Sequence, residues 1–153
     1  MSGQIYASDI ELGGYYLPAS DVSVGDVYLD HISLGMAWEF EEFLAGGEET
    51  FPPVSLHFED RSSPTGGGEL GNTYYEVTHW FQPENFLVTG SALSFSGTHE
   101  LLGDIRFEGS FDAGQVAAMQ NGDPHLAETA LTGTMHIGEA VFEDVHFQGW
   151  LGD

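Results

Sequence analysis

The chain has 153 residues, of which 25 are Asp or Glu and only 2 are Lys or Arg, so its net charge at neutral pH is −23. This length fits a single domain over residues 1–153. The content of 41% apolar and 13% aromatic residues excludes disorder caused by low hydrophobicity. Nucleic acid and anionic membrane faces require clustered Lys and Arg. We therefore expect neither as a partner, whereas a basic protein is still a possible partner.

The residue types that are missing exclude further classes of chemistry. Without Cys there are no disulfides, cysteine nucleophiles or thiolate metal sites. Without Lys there is no phosphate loop and no Schiff base. The N-terminus lacks the basic and apolar segments of a signal peptide. We expect a cytoplasmic protein or one exported without an N-terminal signal.

Alternation of apolar and polar residues predicts roughly nine β-strands. In the clearest segment, Asp104 to Asp112, every odd position is apolar or Gly and every even position is polar. From Ile32 to Phe40 the same alternation predicts a strand with five large side chains on one face. In chain order, strands are predicted over residues 5–12, 22–29, 32–40, 54–59, 74–82, 86–96, 104–112, 131–137 and 141–150.

Turn sequences separate these strands and predict little helix. The Gly-rich stretch from Ser62 to Gly68 is predicted to be a flexible loop within the domain. A three-residue loop over residues 138–140 would pair Ile137 with Val141 in a hairpin. One or two short helical turns are predicted around residues 115–130, where Asp123-Pro124 offers a helix start.

Short strands, Gly-rich turns and glycines inside strands are typical of closed or two-layered β-structures. We therefore predict an all-β fold, a single-domain antiparallel β-barrel of the calycin kind. A two-sheet β-sandwich is the second choice.

The seven histidines include one candidate for a ligand site. None of them has the spacing of a zinc motif, so no metal site is predicted. His79 alternates with Tyr75, Val77 and Phe81 on one face of its strand. If that face is buried, His79 lies in an aromatic interior, either beside a ligand or as a core histidine with a partner. Three other histidines fall on polar strand faces, where we expect them to be solvated: His57, His136 and His146.

The aromatic residues provide the remaining candidates. They either fill the core or line a ligand cavity. No catalytic residue is predicted, because the chain has no Gly-x-Ser-x-Gly motif and its acidic clusters lack the spacing of a calcium loop. The predicted ligand-binding residues are His79, Tyr75, Phe81, Trp38, Met36 and Phe95.

Two segments resemble known families. Between Tyr75 and Phe107, the run Thr98-His99-Glu100-Leu101-Leu102-Gly103-Asp104-Ile105 and the residues before it are similar to the central segment of secreted bacterial haemophores. That resemblance implies haem as a ligand, although Phe95 stands where that family has its haem-ligating Tyr. The pattern Phe58-x-Asp60, followed by a Gly-rich stretch and Leu70-Gly71, is similar to small calycin-like cyclases such as the allene oxide and spirotetronate cyclases.

Three functions from different classes follow. The first is an acidic β-barrel protein that binds a small apolar or aromatic ligand, haem included, without catalysis. The alternative is a cofactor-free, lipocalin-like barrel cyclase or isomerase that holds a hydrophobic substrate in a reactive conformer near His79 and Tyr75. The second alternative is an acidic inhibitor or immunity-type protein that neutralises a basic protein by complementary charge. We rank ligand binding above the two alternatives because the sequence lacks the strong catalytic motifs.

Overall fold

The computed structural model describes residues 4–46, 53–62, 65–67, 73–75, 77–121 and 129–150. Among these residues the structure is mostly strand (58%) with two helices, which confirms the all-β prediction. Neither described helix is long and apolar enough to cross a membrane. The elements are β1 (Gln4–Ala7), β2 (Gly14–Pro18), β3 (Ser23–Val24), β4 (Val27–Leu34), α1 (Ala37–Leu44), β5 (Val54–Asp60), β6 (Thr65–Gly67), β7 (Thr73–Tyr75), β8 (Thr78–Phe81), β9 (Asn85–Thr89), β10 (Ala92–His99), β11 (Gly103–Phe111), α2 (Ala113–Gln120), β12 (Leu131–Ile137) and β13 (Ala140–Trp150).

Ten strands form one curled sheet in the order β1-β9-β10-β11-β12-β13-β2-β4-β5-β8, and β3 pairs with β4. The sheet makes a half-barrel, so the barrel-like prediction is confirmed. Its pairs are antiparallel except β1–β9, which is parallel and departs from the purely antiparallel expectation. β6 and β7 form a separate two-stranded sheet, so residues 65–67 of the predicted flexible loop are a strand.

The buried face of the sheet is packed around Phe107. The Phe107 ring stacks on Phe95 with centroids 5.4 Å apart and meets Phe147 edge to face at 5.6 Å. A Cβ at Gly109 would lie 2.6 Å from the end of the Phe107 ring, and one at Gly133 would lie 2.5 Å from it. The absence of side chains at these two positions therefore gives the ring its place between β11 and β12.

The predicted strand over residues 32–40 is wrong beyond Leu34, where β4 ends. Residues Ala37–Leu44 form α1 instead. The Ala37 N–H donates to Oε2 of Glu11 at 3.0 Å. Phe40, on the inner side of the helix, is fully buried. Alternation could not reveal this start, because Glu11 lies 26 positions earlier in the chain.

Several other predicted strands have different limits. Residues 22–29 bend at Gly25, whose φ is 61°, and form the hairpin of β3 and β4. Residues 86–96 are the hairpin of β9 and β10 rather than one strand. Residues 74–82 are divided between β7 and β8, which belong to different sheets.

The β12–β13 hairpin has the predicted register far from its turn and a different one near it. Gly133 pairs with Val145 as predicted, but Ile137 pairs with Ala140 across a two-residue turn. The register shifts by one residue because β13 contains a bulge, where Asp144 adopts a φ of 52°. Val141 is consequently 51% exposed and not on the buried face.

The helical turns predicted around residues 115–130 are confirmed in part. α2 begins after Asp112, whose carboxylate accepts a hydrogen bond from the Gln115 N–H at 3.0 Å. Residues 122–128, which include the predicted second turn, lie outside the described residues.

Candidate functional site

A groove lies at one margin of the half-barrel, between β8 and the turn from β10 to β11. Its volume is about 570 Å³, and its lining residues are Thr78, His79, Trp80, His99, Glu100 and Leu101. β8 is the last strand of the sheet, and in the described residues no hydrogen-bonded ladder joins it to β10. The two strands meet instead through the Phe81 side chain of β8, whose ring lies against Gly97 of β10. A Cβ at Gly97 would lie 2.9 Å from the end of that ring.

Two imidazoles face each other in the groove. The rings of His79 and His99 meet edge to face, with centroids 5.8 Å apart and an angle of 84° between their planes. The Nδ1 atom of His99 accepts hydrogen bonds from the backbone N–H groups of Leu101, at 3.0 Å, and Leu102, at 3.2 Å. We therefore assign the proton of the neutral ring to Nε2.

The surroundings of His99 keep it neutral. Burial lowers the pKa of His99, repulsion from His79 lowers it further, and Glu100 acts in the opposite direction. Protonation would also end the acceptor role of Nδ1 toward the Leu101 and Leu102 amides. His99 is thus a neutral ring at pH 7 with a single N–H donor.

Two large apolar side chains of the groove are open to solvent. Trp80 is 53% exposed on β8 and Leu101 is 58% exposed in the turn from β10 to β11. Scattered apolar residues on a surface are ordinary, but clustered ones mark binding sites. Because Trp80 and Leu101 both line the groove, they supply apolar area for a bound molecule.

A row of four rings crosses the outer face of the neighbouring strands. Tyr15 on β2 meets His31 on β4 edge to face, with centroids 5.2 Å apart. His31 and His57 on β5 are stacked, with centroids 5.2 Å apart and planes within 4°. Trp80 on β8 stands across the pair, with its ring centroid 4.5 Å from that of His57 and 6.2 Å from that of His31. Trp80 therefore belongs both to the groove and to this row.

Each imidazole of the stacked pair contacts a carboxylate. The Nδ1 atom of His31 lies 2.7 Å from Oδ2 of Asp30, and the Nε2 atom of His57 lies 3.3 Å from Oε2 of Glu59. The hydrogen bond from His31 lowers the pKa of Asp30. The Tyr28 hydroxyl donates to the other oxygen of Glu59 at 3.2 Å, which fixes that carboxylate.

The opposite nitrogens of the stacked pair are buried. His31 Nε2 and His57 Nδ1 have no hydrogen-bond partner in the part of the chain that the structure describes. Only 17% of the His31 side chain and 16% of the His57 side chain are exposed. The expectation that His57 is solvated is therefore wrong. An unsatisfied buried nitrogen costs roughly 1–3 kcal/mol.

The five predicted ligand-binding residues whose side chains the structure describes lie in different parts of the fold. His79 lines the groove, and Phe81 is buried beside it. Phe95 packs in the core, Met36 precedes α1 and Trp38 is 61% exposed on α1. The side chain of the sixth, Tyr75, lies outside the described residues.

Of the six residues that line the groove, only His79 is among the predicted ligand-binding residues. Trp80 falls on the opposite face of the predicted strand from His79, and His99 and Leu101 belong to another hairpin. One signal was present: Leu101 and Leu102 form an apolar pair in a turn, where polar residues are usual.

No group of three or more His, Asp or Glu side chains is arranged to hold a metal ion among the described residues. Comparisons with protein-family models, curated proteins and solved structures find no match to this chain.

Proposed function

We propose that this protein binds a small, uncharged apolar or aromatic molecule in the groove beside His79, without catalysis. The observation that supports the proposal best is the position of Trp80 and Leu101, which are both more than half exposed and both line the groove. The groove volume of about 570 Å³ lies within the range of roughly 300–1,000 Å³ typical of small-molecule pockets.

The polar groups of the groove define the kind of ligand. His99 provides one N–H donor, so a carbonyl or ether oxygen on the ligand would be oriented by it. Glu100 and the net charge of −23 disfavour an anionic ligand. A neutral molecule with a flat apolar body and one acceptor fits both conditions.

Nile red, an uncharged dye with a carbonyl acceptor, tests the proposal. Titration of the full chain should give one saturable site with brighter, blue-shifted emission. Complete burial of a Leu side chain contributes roughly 1.5–3 kcal/mol. We therefore expect Leu101→Ser to weaken dye binding about tenfold, the effect at the lower end of that range. His99→Phe should weaken binding while the apolar walls remain.

The matched control is Leu87→Ser, which removes an exposed leucine from β9, away from the groove. Leu87→Ser should bind the dye as the unchanged protein does. Equal affinities for Leu101→Ser and Leu87→Ser, or no saturable binding by the unchanged protein, would overturn the proposal.

A further inference from the structure

We propose that the outer face of β9, β10 and β11 binds a small zwitterion with an apolar body, of which an apolar α-amino acid is the simplest example. Two adjoining hollows lie there, with volumes of about 220 and 480 Å³, and Asn85, Ser96 and Arg106 line both of them. These hollows share no lining residue with the groove beside His79, so the inference does not depend on the proposed function.

The register of the sheet explains why a hollow forms on this face. Each of the three strands buries a phenylalanine in the core: Phe86, Phe95 and Phe107. The residues next to them in each strand therefore point outward. On β10 these outward residues are Ser94 and Ser96, which are small. Their cross-strand neighbours on β9 and β11 are larger: Leu87, Asn85, Glu108 and Arg106. The serines are thus the floor of a channel between two higher walls.

Two opposite charges lie in the β11 wall of this channel. Arg106 and Glu108 are exposed on the same face of the strand. They are two positions apart, so their Cα atoms are separated by roughly 6.5–7 Å. Neither forms an ion pair within the part of the chain that the structure describes, whereas the Arg61 guanidinium is held by the Asp21 carboxylate. The Arg106 guanidinium and the Glu108 carboxylate are therefore both available to a ligand.

The balance of charge favours a zwitterion over an ion of either sign. The charged groups that line the two hollows are one guanidinium and three carboxylates: Arg106, Glu84, Asp104 and Glu108. The Asp104 carboxylate already accepts a hydrogen bond from the Thr98 hydroxyl at 2.9 Å. An anion would be repelled by the carboxylates, and a simple cation would be repelled by Arg106. A zwitterion meets each charge with its opposite.

An apolar patch adjoins the charge pair across the channel. Ile5 on β1 and Leu87 on β9 are cross-strand partners, and they are 50% and 41% exposed. Both line the smaller hollow together with Arg106 and Glu108. Clustered exposed apolar side chains mark binding sites. The patch therefore defines where the apolar body of a ligand would lie.

An α-amino acid fits these positions because its two charged groups are attached to one carbon atom. Its carboxylate would accept paired hydrogen bonds from the planar guanidinium of Arg106. Its ammonium would donate to Glu108. Its side chain would then extend across Ser94, which lies between Glu108 and Leu87 in the register, and reach the apolar patch.

The scarcity of cations in this chain permits a direct test. Arg61 and Arg106 are its only arginines, so nitrogen-15 NMR of the full chain should show two arginine Nε signals, which Arg106→Gln assigns. Titration with L-leucine should shift the Arg106 signal with a saturable dependence. The Arg61 signal should stay in place, because that guanidinium is already paired with Asp21.

Altered ligands and variants identify the contacts. L-leucine methyl ester lacks the carboxylate and N-acetyl-L-leucine lacks the ammonium, so each should bind at least about tenfold more weakly than L-leucine. Arg106→Gln and Glu108→Gln should weaken L-leucine binding by a similar factor, measured through the backbone amides of Ser94 and Ser96. The matched control is Glu143→Gln, which removes an exposed carboxylate of β13 and should leave binding unchanged.

Leu87→Ser separates this proposal from the proposed function, because it should weaken L-leucine binding and leave dye binding unchanged. The zwitterion site is overturned if L-leucine gives no saturable shift, or if it shifts the Arg61 and Arg106 signals equally. It is also overturned if the ester and the N-acetyl compound bind as tightly as L-leucine, or if Glu143→Gln weakens binding as much as Glu108→Gln does.

Discussion

Replacing Gly133 with alanine should destabilise the fold, because the position has no room for a methyl group. A Cβ there would lie 2.4 Å from the backbone oxygen of Glu108, 2.5 Å from the Phe107 ring and 2.7 Å from Cα of Gly109. Two of these neighbours are backbone atoms of β11, so relief requires β11 and β12 to separate. Overpacking costs about 1–3 kcal/mol, and the entropy that alanine removes from the unfolded chain offsets about 0.4–1 kcal/mol. We expect a net loss of about 1–2 kcal/mol.

The matched control is Gly114→Ala in the first turn of α2. A Cβ at Gly114 would meet only the carboxylate of Asp112, at an ordinary contact distance of 3.4 Å. This substitution should stabilise the protein by about 0.5–1 kcal/mol, as Gly→Ala does inside helices. Urea unfolding with an unchanged m-value provides the comparison. If Gly133→Ala unfolds at a urea concentration equal to or above that of Gly114→Ala, the packing argument is refuted.

Three further predictions concern a buried hydroxyl, pH and salt. Tyr16→Phe should lower the free energy of unfolding by about 1–3 kcal/mol. The buried Tyr16 hydroxyl donates to the Leu12 carbonyl at 2.7 Å, and the carbonyl would lose that partner. An unchanged midpoint of urea unfolding would contradict this prediction. Because the pKa of His99 is lowered in the folded protein, its contribution to stability is complete above the unfolded value of about 6.5 and is lost as the pH falls toward the folded pKa. His99→Phe should therefore lose less Tm than the unchanged protein between pH 7 and pH 5, and identical losses would argue against a lowered pKa. Finally, repulsion among 25 acidic residues should make Tm rise from low salt to about 1 M salt, and a flat Tm would show that this repulsion is unimportant.

The strand periodicity was predictable from the sequence because it reflects a local rule. Side chains alternate between the two faces of a strand, and the predicted buried positions Ile105, Phe107 and Phe111 are indeed buried. The rule fails where a distant residue intervenes. Met36 and Phe40 are four positions apart, a spacing that also fits one face of a helix, and the carboxylate of Glu11 holds the helix start.

Bulges explain the other departures. A bulge reverses the faces of the side chains on one side of it relative to those on the other side, and its position depends on which strand lies alongside. The bulge at Asp144 turned Val141 outward. Alternation read from one strand alone contains no information about it.

The candidate site was predictable only at its centre. His79 stood out because its strand placed it among aromatic residues, and it does line the groove. Its partner His99 comes from a different hairpin, and the contact arises because the last strand of the curled sheet lies beside β10. Which strands meet at the margin of a sheet depends on long-range topology, which the spacing of residues along the chain does not encode.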